Sequence, residues 1–179
     1  ICGGFVLSGV VAFLNSSSGV LINTFGMQPS VYGWIYSIVM LSYGLSALAQ
    51  QKLIGKISSN KLILISALLS AFGGILMFCL ISININHPII IVGPMLIFMM
   101  GFATLWPQSV AACLQPFPDK AGAASSLQGF IQNSMAAVVS ALLSLSSNDT
   151  GIPLGSAMVI CGILTLITAI IIYNKSNRK

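Results

Sequence analysis

The chain has 179 residues, 56% of them hydrophobic and 5% charged, with a formal net charge of +5. That composition lies far outside soluble globular domains. The seven basic residues form no face interleaved with aromatics, which argues against a nucleic-acid surface, and the short alternating segments of a membrane β-barrel are absent.

Six long apolar runs follow one another, over residues 5–23, 31–52, 62–83, 88–114, 121–146 and 153–173. Each is long enough to cross roughly 30 Å of hydrocarbon as a helix rising about 1.5 Å per residue. The expected fold is therefore all-α: a bundle of six transmembrane helices over residues 1–173 and a basic tail over 174–179. The first run carries Asn15-Ser16-Ser17-Ser18-Gly19 at its middle, and the second carries Tyr36 and Tyr43, seven apart and so on one face. The third is almost wholly apolar, with Ser66, Ser70 and Gly74 as a ridge of small residues for close packing. In the fourth, Gly93-Pro94, Gly101 and Pro107 weaken the helical ladder, as a bent, cavity-lining helix or a purely structural kink would require. Ser125, Gln128, Gln132 and Met135 share a face of the fifth, where Ala136, Ser140 and Ser144 make a second small ridge. The sixth is apolar like the third. Greasy all round, both are expected to lie at the periphery against lipid, leaving the polar first, second, fourth and fifth inside. This division, three plus three, matches the inverted three-helix repeats of secondary transporters.

Charge sets an expected orientation. Lys52, Lys56 and Lys61 bracket the second gap, Lys120 lies in the fourth, and Lys175, Arg178 and Lys179 form the tail, whereas the first, third and fifth gaps hold no basic residue. Basic residues favour cytoplasmic loops, so the even gaps and both ends of this segment are expected in the cytoplasm, with the chain in the cell (inner) membrane. The opening Ile-Cys-Gly-Gly already reads as helix, so an upstream portion is expected to be missing.

Little points to bond-making chemistry. Cys2, Cys79, Cys113 and Cys161 fall in separate spans without metal-ligand or disulfide spacing, and His87 stands alone before Pro88, where a helix begins. A phosphate-binding loop and a Ser/His/Asp set are absent. Neither an enzyme, nor a metal, nor a cofactor is expected.

The polar and aromatic residues instead fall at comparable depths. Asn15, Ser16, Ser18, Tyr36, Tyr43, Met100, Trp106, Gln108, Ser125, Gln128 and Gln132 are the candidate lining of a cavity. Such a lining, mostly apolar and aromatic with scattered amides and hydroxyls, suits a drug-like organic molecule better than a sugar or phosphate. The same Asn, Gln and Ser residues would equally serve to bond helix to helix. No ionisable side chain lies in the middle of any run. Proton-driven transporters place such groups in the membrane, so either a missing half supplies them or this segment does not transport alone.

The most distinctive stretch runs from Pro116-Phe117-Pro118-Asp119-Lys120 through Ala121-Gly122-Ala123-Ala124-Ser125-Ser126-Leu127-Gln128-Gly129 to Gln132. Its pattern, carried by Pro116, Pro118, Ala121, Gly122, Ser125 and Gly129, resembles the loop and following helix in the C-terminal half of drug–proton antiporters of the bicyclomycin-resistance (Bcr/CflA) type, within the major facilitator superfamily. The loop Gln50-Gln51-Lys52-Leu53-Ile54-Gly55-Lys56 is similar in position and charge to the facilitator loop motif but lacks its usual Asp and Arg. Phe25-Gly26-Met27 and Tyr32-Gly33-Trp34 also look like that family's seventh helix and its outer loop. The resemblance implies the last six of twelve helices, alternating access around a central cavity, and a proton-coupling acid in an N-terminal six-helix half. Independently of the family, the two prolines and a cap by Asp119 are expected to end the fourth helix and start the fifth. The function expected is small-molecule efflux, with lipid, an organic substrate and the N-terminal half as partners and no nucleic acid. A non-transporting fragment, or a facilitator for another solute, is the alternative.

Overall fold

A computed structural model describes residues 2–24, 26–52, 58–83, 87–146 and 151–176. Among them the regular structure is entirely helical. Helix α1 spans Cys2–Gly19 and ends in a π-helical turn, Val20–Thr24. It is followed by α2 (Pro29–Gln51), α3 (Ser59–Ser82), α4 (Ile89–Leu114), α5 (Ala121–Leu145) and α6 (Ile152–Ser176). Five of these are long and apolar enough to cross a membrane, and α5 is not among them. At 25 residues α5 has the length; its Ser, Gln and Asn positions dilute the apolar ones.

The helix starts follow local chemistry. Pro29 opens α2, where the missing N–H of proline is no loss. At α4 the ring Nδ1 of His87 accepts the N–H of Ile89 at 3.3 Å, which gives that histidine a capping role. The expected cap by Asp119 is not formed. Asp119 sits inside a single 3-10 turn, Pro118–Lys120, that runs straight into α5, and no side chain caps that helix. Helix α6 continues through Lys175 to Ser176. Lys56, Arg178 and Lys179 lie outside the described residues.

Packing follows an internal symmetry. α1 packs on α5 and α6, α4 packs on α2 and α3, and the pairs α1–α4 and α3–α6 also meet. Exchange the first three helices for the last three and each of these pairs maps onto another or onto itself. An odd number of crossings separates equivalent helices, so the two triplets run in opposite directions, as an inverted repeat demands. α1 and α4 form the centre, α3 and α6 close one side, and α2 and α5 flank the other without packing along each other.

Helices α3 and α6 lie at one side of the bundle with exposed apolar stripes, as expected, but α3 is also packed far more tightly than α2. Half of the most apolar stretch of α3 is buried, against 6% for α2. Absent side chains decide it. A Cβ on Gly74 would stand 2.6 Å from the carbonyl oxygen of Met158 in α6, and one on Gly101 of α4 would collide with Ser70 and with the carbonyl oxygen of Ser66 in α3. The small ridge on α3 thus serves two partners, Ser66 and Ser70 towards α4 and Gly74 towards α6. An outer stripe of α3 (Ile65, Leu68, Phe72, Ile75, Phe78) remains exposed, and Ile160, Ile163 and Ile167 are exposed on α6.

Helix α5 shows the polarity of a helix in lipid. Gln132, Ala136 and Leu143 are buried, whereas Leu127, Phe130, Val138 and Leu142 are exposed. A soluble protein would reverse this order; hydrocarbon rewards it, because polar groups there need protein partners. Of the polar residues that dilute α5, Gln132 is buried and Gln128, Ser134 and Ser140 are half-buried, while Ser125, Ser126, Asn133 and Ser144 are exposed. This is a multi-pass helical membrane protein.

Candidate substrate cavity

The candidate residues lie mainly on α2 and α5, which flank the central pair α1 and α4, and on that pair itself. Spacings of four and seven put Tyr32, Tyr36 and Tyr43 of α2 on the face that carries its one buried residue, Val39. Tyr43 there meets Phe102 of α4, ring centroids 5.5 Å apart and tilted by 39°. Phe102 in turn stacks on Trp106, one turn further along, at 6.0 Å. The indole Nε1–H of Trp106 donates to Oε1 of Gln132 in α5 at 3.3 Å. One continuous row of three rings and an amide therefore joins α2, α4 and α5.

Helix α1 holds that row from behind. Gln132 is 5% exposed, and its amide lies against Gly3, where a Cβ would come within 2.8 Å of Nε2 and 2.9 Å of Ser109. Gly4 receives the sulfur of Met135 in the same way, at 2.7 Å. Glycine at these two positions is what allows the first turn of α1 to sit on α5.

Further along α1, Asn15 donates its side-chain N–H to Ser140 of α5, and Ser17 shares a hydrogen bond of 3.1 Å with the hydroxyl of Tyr32. These residues thus tie α1 to α5 and to the start of α2. Ser16 and Ser18 are half-buried on the same turn. Tyr36 lies between Tyr32 and Tyr43 and is 39% exposed.

The remaining candidates divide. Gln128 and Ser125 precede Gln132 by four and seven residues and share its face. Ser125 is exposed and donates to the carbonyl of Gly122 at 2.9 Å. Oε1 of Gln128 is buried without a hydrogen-bond partner. Met100 and Gln108 stand apart from the row. Met100 lies about 200° around α4 from Phe102 and is 46% exposed. Gln108 follows Gly101 by seven residues, on the side of α4 that faces α3. Sequence reasoning missed Phe102, Ser17 and Gln50. Phe102, one turn before Trp106, was open to a spacing argument. Gln50 follows Tyr43 by seven residues, and its Nε2 is the other buried side-chain atom without a partner among the described residues.

Comparison with known proteins agrees with this arrangement. The Haemophilus influenzae protein named bicyclomycin resistance protein homolog is 18% identical over 163 residues, which cover 91% of this chain and 41% of that protein. The chain therefore spans less than half the length of this relative. No solved structure matches. The model of the Major Facilitator Superfamily matches residues 1–178, and with six helices in an inverted three-plus-three arrangement the chain belongs to that superfamily of membrane transporters.

Proposed function

We propose that the chain forms the C-terminal half of a transporter that expels small, largely apolar organic molecules by alternating access. The observation that carries this reading is the row Tyr43–Phe102–Trp106–Gln132. It offers ring faces and an amide on helices whose middles contain no charge. Rings stack on flat organic molecules with loose geometric demands, and one amide supplies orientation. A sugar or a phosphate needs a denser polar or charged lining. The relative's name, a resistance protein homolog, supports efflux over uptake.

In this reading an N-terminal half supplies the remaining cavity wall and the acid that couples transport to protons. The length of the relative, more than twice that of this chain, leaves room for it. The lysine-bearing helix ends, at Lys52, Lys61, Lys120 and Lys175, face the cytoplasm, because basic residues resist translocation. The organic substrate and surrounding lipid are then its partners, with the row of rings as the contact surface.

The test is growth of pump-deficient bacteria expressing the full-length protein against a panel of apolar antibacterial compounds. Expression is expected to raise the inhibitory concentration of several, and Trp106→Ala to abolish the gain at unchanged membrane abundance. If no compound in a broad panel shifts, the efflux reading falls. A native protein whose intact mass equals this segment alone would instead favour the non-transporting fragment.

A further inference from the structure

We propose that Gly3 is a positioning residue for the transported molecule: the space left by its missing side chain seats the amide of Gln132, and that amide holds the Trp106 ring as a fixed platform. This rests on reading the row of rings as the substrate site. Three helices meet at this point. A Cβ on Gly3 of α1 would stand 2.8 Å from Nε2 of Gln132 in α5, and 2.9 Å from Cβ and 3.2 Å from Oγ of Ser109 in α4. Gln132 is itself buried. Even a methyl group at position 3 therefore has no room beside the amide. Nε2 ends a flexible side chain and yields first, whereas Cβ of Ser109 moves only with the backbone of α4.

The bond that depends on this seat has one direction only. An indole N–H donates and cannot accept, so the Gln132 atom that Nε1 of Trp106 meets at 3.3 Å is the amide oxygen, and the NH2 group is the one turned to Gly3. Trp106 needs the tie. Rotation of an aromatic ring about χ2 has broad wells, and this residue is only half-buried. Its neighbour Pro107 has no N–H for the carbonyl of Ala103, so the turn of α4 that carries the ring lacks one backbone bond. Phe102 stacks on the indole from within α4, and Gln132 holds its N–H edge from α5. With the amide displaced, the ring is free to turn. A flat molecule then loses a platform whose orientation was set before it arrived, and such preorganisation acts on affinity.

Transport of N-phenyl-1-naphthylamine, a flat neutral probe, by the full-length protein in everted membrane vesicles yields KM and the maximal rate. Gly3→Ala is expected to raise KM roughly tenfold and to leave the maximal rate within about twofold. In a Gln132→Ala protein the seat is empty, so Gly3→Ala is expected to change KM by less than about twofold there. An equal KM shift in both backgrounds means that Gly3 acts through helix packing and overturns the proposal. An unchanged KM in Gly3→Ala, or a wild type that exports other compounds but not this probe, overturns it as well. Trp106→Phe keeps a ring, removes the N–H and is expected to raise KM about as much as Gly3→Ala. It leaves position 3 intact, so a misfolded Gly3→Ala does not shield the idea, and an unchanged KM in it is a refutation. Thermal unfolding separates seat from pump: Gly3→Ala is expected to lower Tm less when Gln132 is already alanine. An equal drop in both backgrounds removes the seat alone; an unequal drop in a protein that moves no compound removes the efflux reading and leaves the seat.

Discussion

Helices α2 and α3 are both about two dozen residues long and apolar, yet they live in different surroundings. α3 is wedged between α4 and α6, and its contacts run through glycine, serine and alanine: Gly73, Gly74, Ser66, Ser70, Ala67 and Ala71 are all buried. α2 rests on α4 alone along its length, buries only Val39, and has open space at both Gly33 and Gly44. Overall apolarity therefore does not decide which helix is peripheral. What decides is whether small residues lie in register on a face, so that backbones can approach within van der Waals distance. Their symmetry mates differ in another way: α6 joins the glycine-packed layer, whereas α5 buries Gln132 and leaves Leu127, Leu142 and Leu145 outside. One side of the bundle is a closely packed layer of α3, α4 and α6; on the other, α5 is held by α1 and α2 rests on α4 with little burial.

The contrast is broken most directly by adding volume on each side. Gly101→Val drives a side chain into the backbone of α3 and is expected to destabilise the bundle by about 3 kcal/mol or more. Gly44→Val, on open α2, is expected to change stability by less than about 0.5 kcal/mol. Thermal unfolding in nanodiscs reads both; equal effects would mean that α2 is packed as tightly as α3.

Charge on the outer stripe tests the lipid side of the packed layer. Phe72→Asp on α3 is expected to oppose insertion by about 2.5 kcal/mol, visible as reduced membrane integration in a glycosylation assay. A well-tolerated Asp there means that the stripe faces protein or water. Phe72 is the sharper site because it is exposed, whereas its neighbour Leu76 is half-buried.

Smaller effects are expected on the other side. Gln132→Leu removes the acceptor of the Trp106 indole and is expected to lower stability by about 1 kcal/mol, with an altered substrate profile and normal insertion in the full-length protein. An unchanged profile for every compound tested would take Gln132 out of the cavity. The tie between Asn15 and Ser140 is the weakest, with a coupling of about 0.6 kcal/mol expected from a double-mutant cycle. A coupling near zero would show that α1 and α5 are held by the glycine contacts alone.

Much of this protein is legible in its residues. Run lengths set helices long enough to span, because nothing else satisfies a backbone in hydrocarbon. Spacing alone put Tyr36 with Tyr43, and Gln128 with Gln132, on common faces, since helical periodicity is local. Pro116 and Pro118 marked the short connection into α5, although the cap expected from Asp119 gave way to a 3-10 turn. Partnership, by contrast, is not local. That Trp106 bonds Gln132, that Asn15 bonds Ser140 rather than standing free, and that Met100 turns away from Phe102 depend on how six helices rotate against one another. Those rotations are set by where Gly3, Gly74 and Gly101 permit contact. Composition and period thus determined that the chain is a membrane bundle with polar faces. Only close packing, a many-body property of the assembled helices, decided which faces meet and that α3, as apolar as α6, is wedged between α4 and α6 with only an outer stripe exposed.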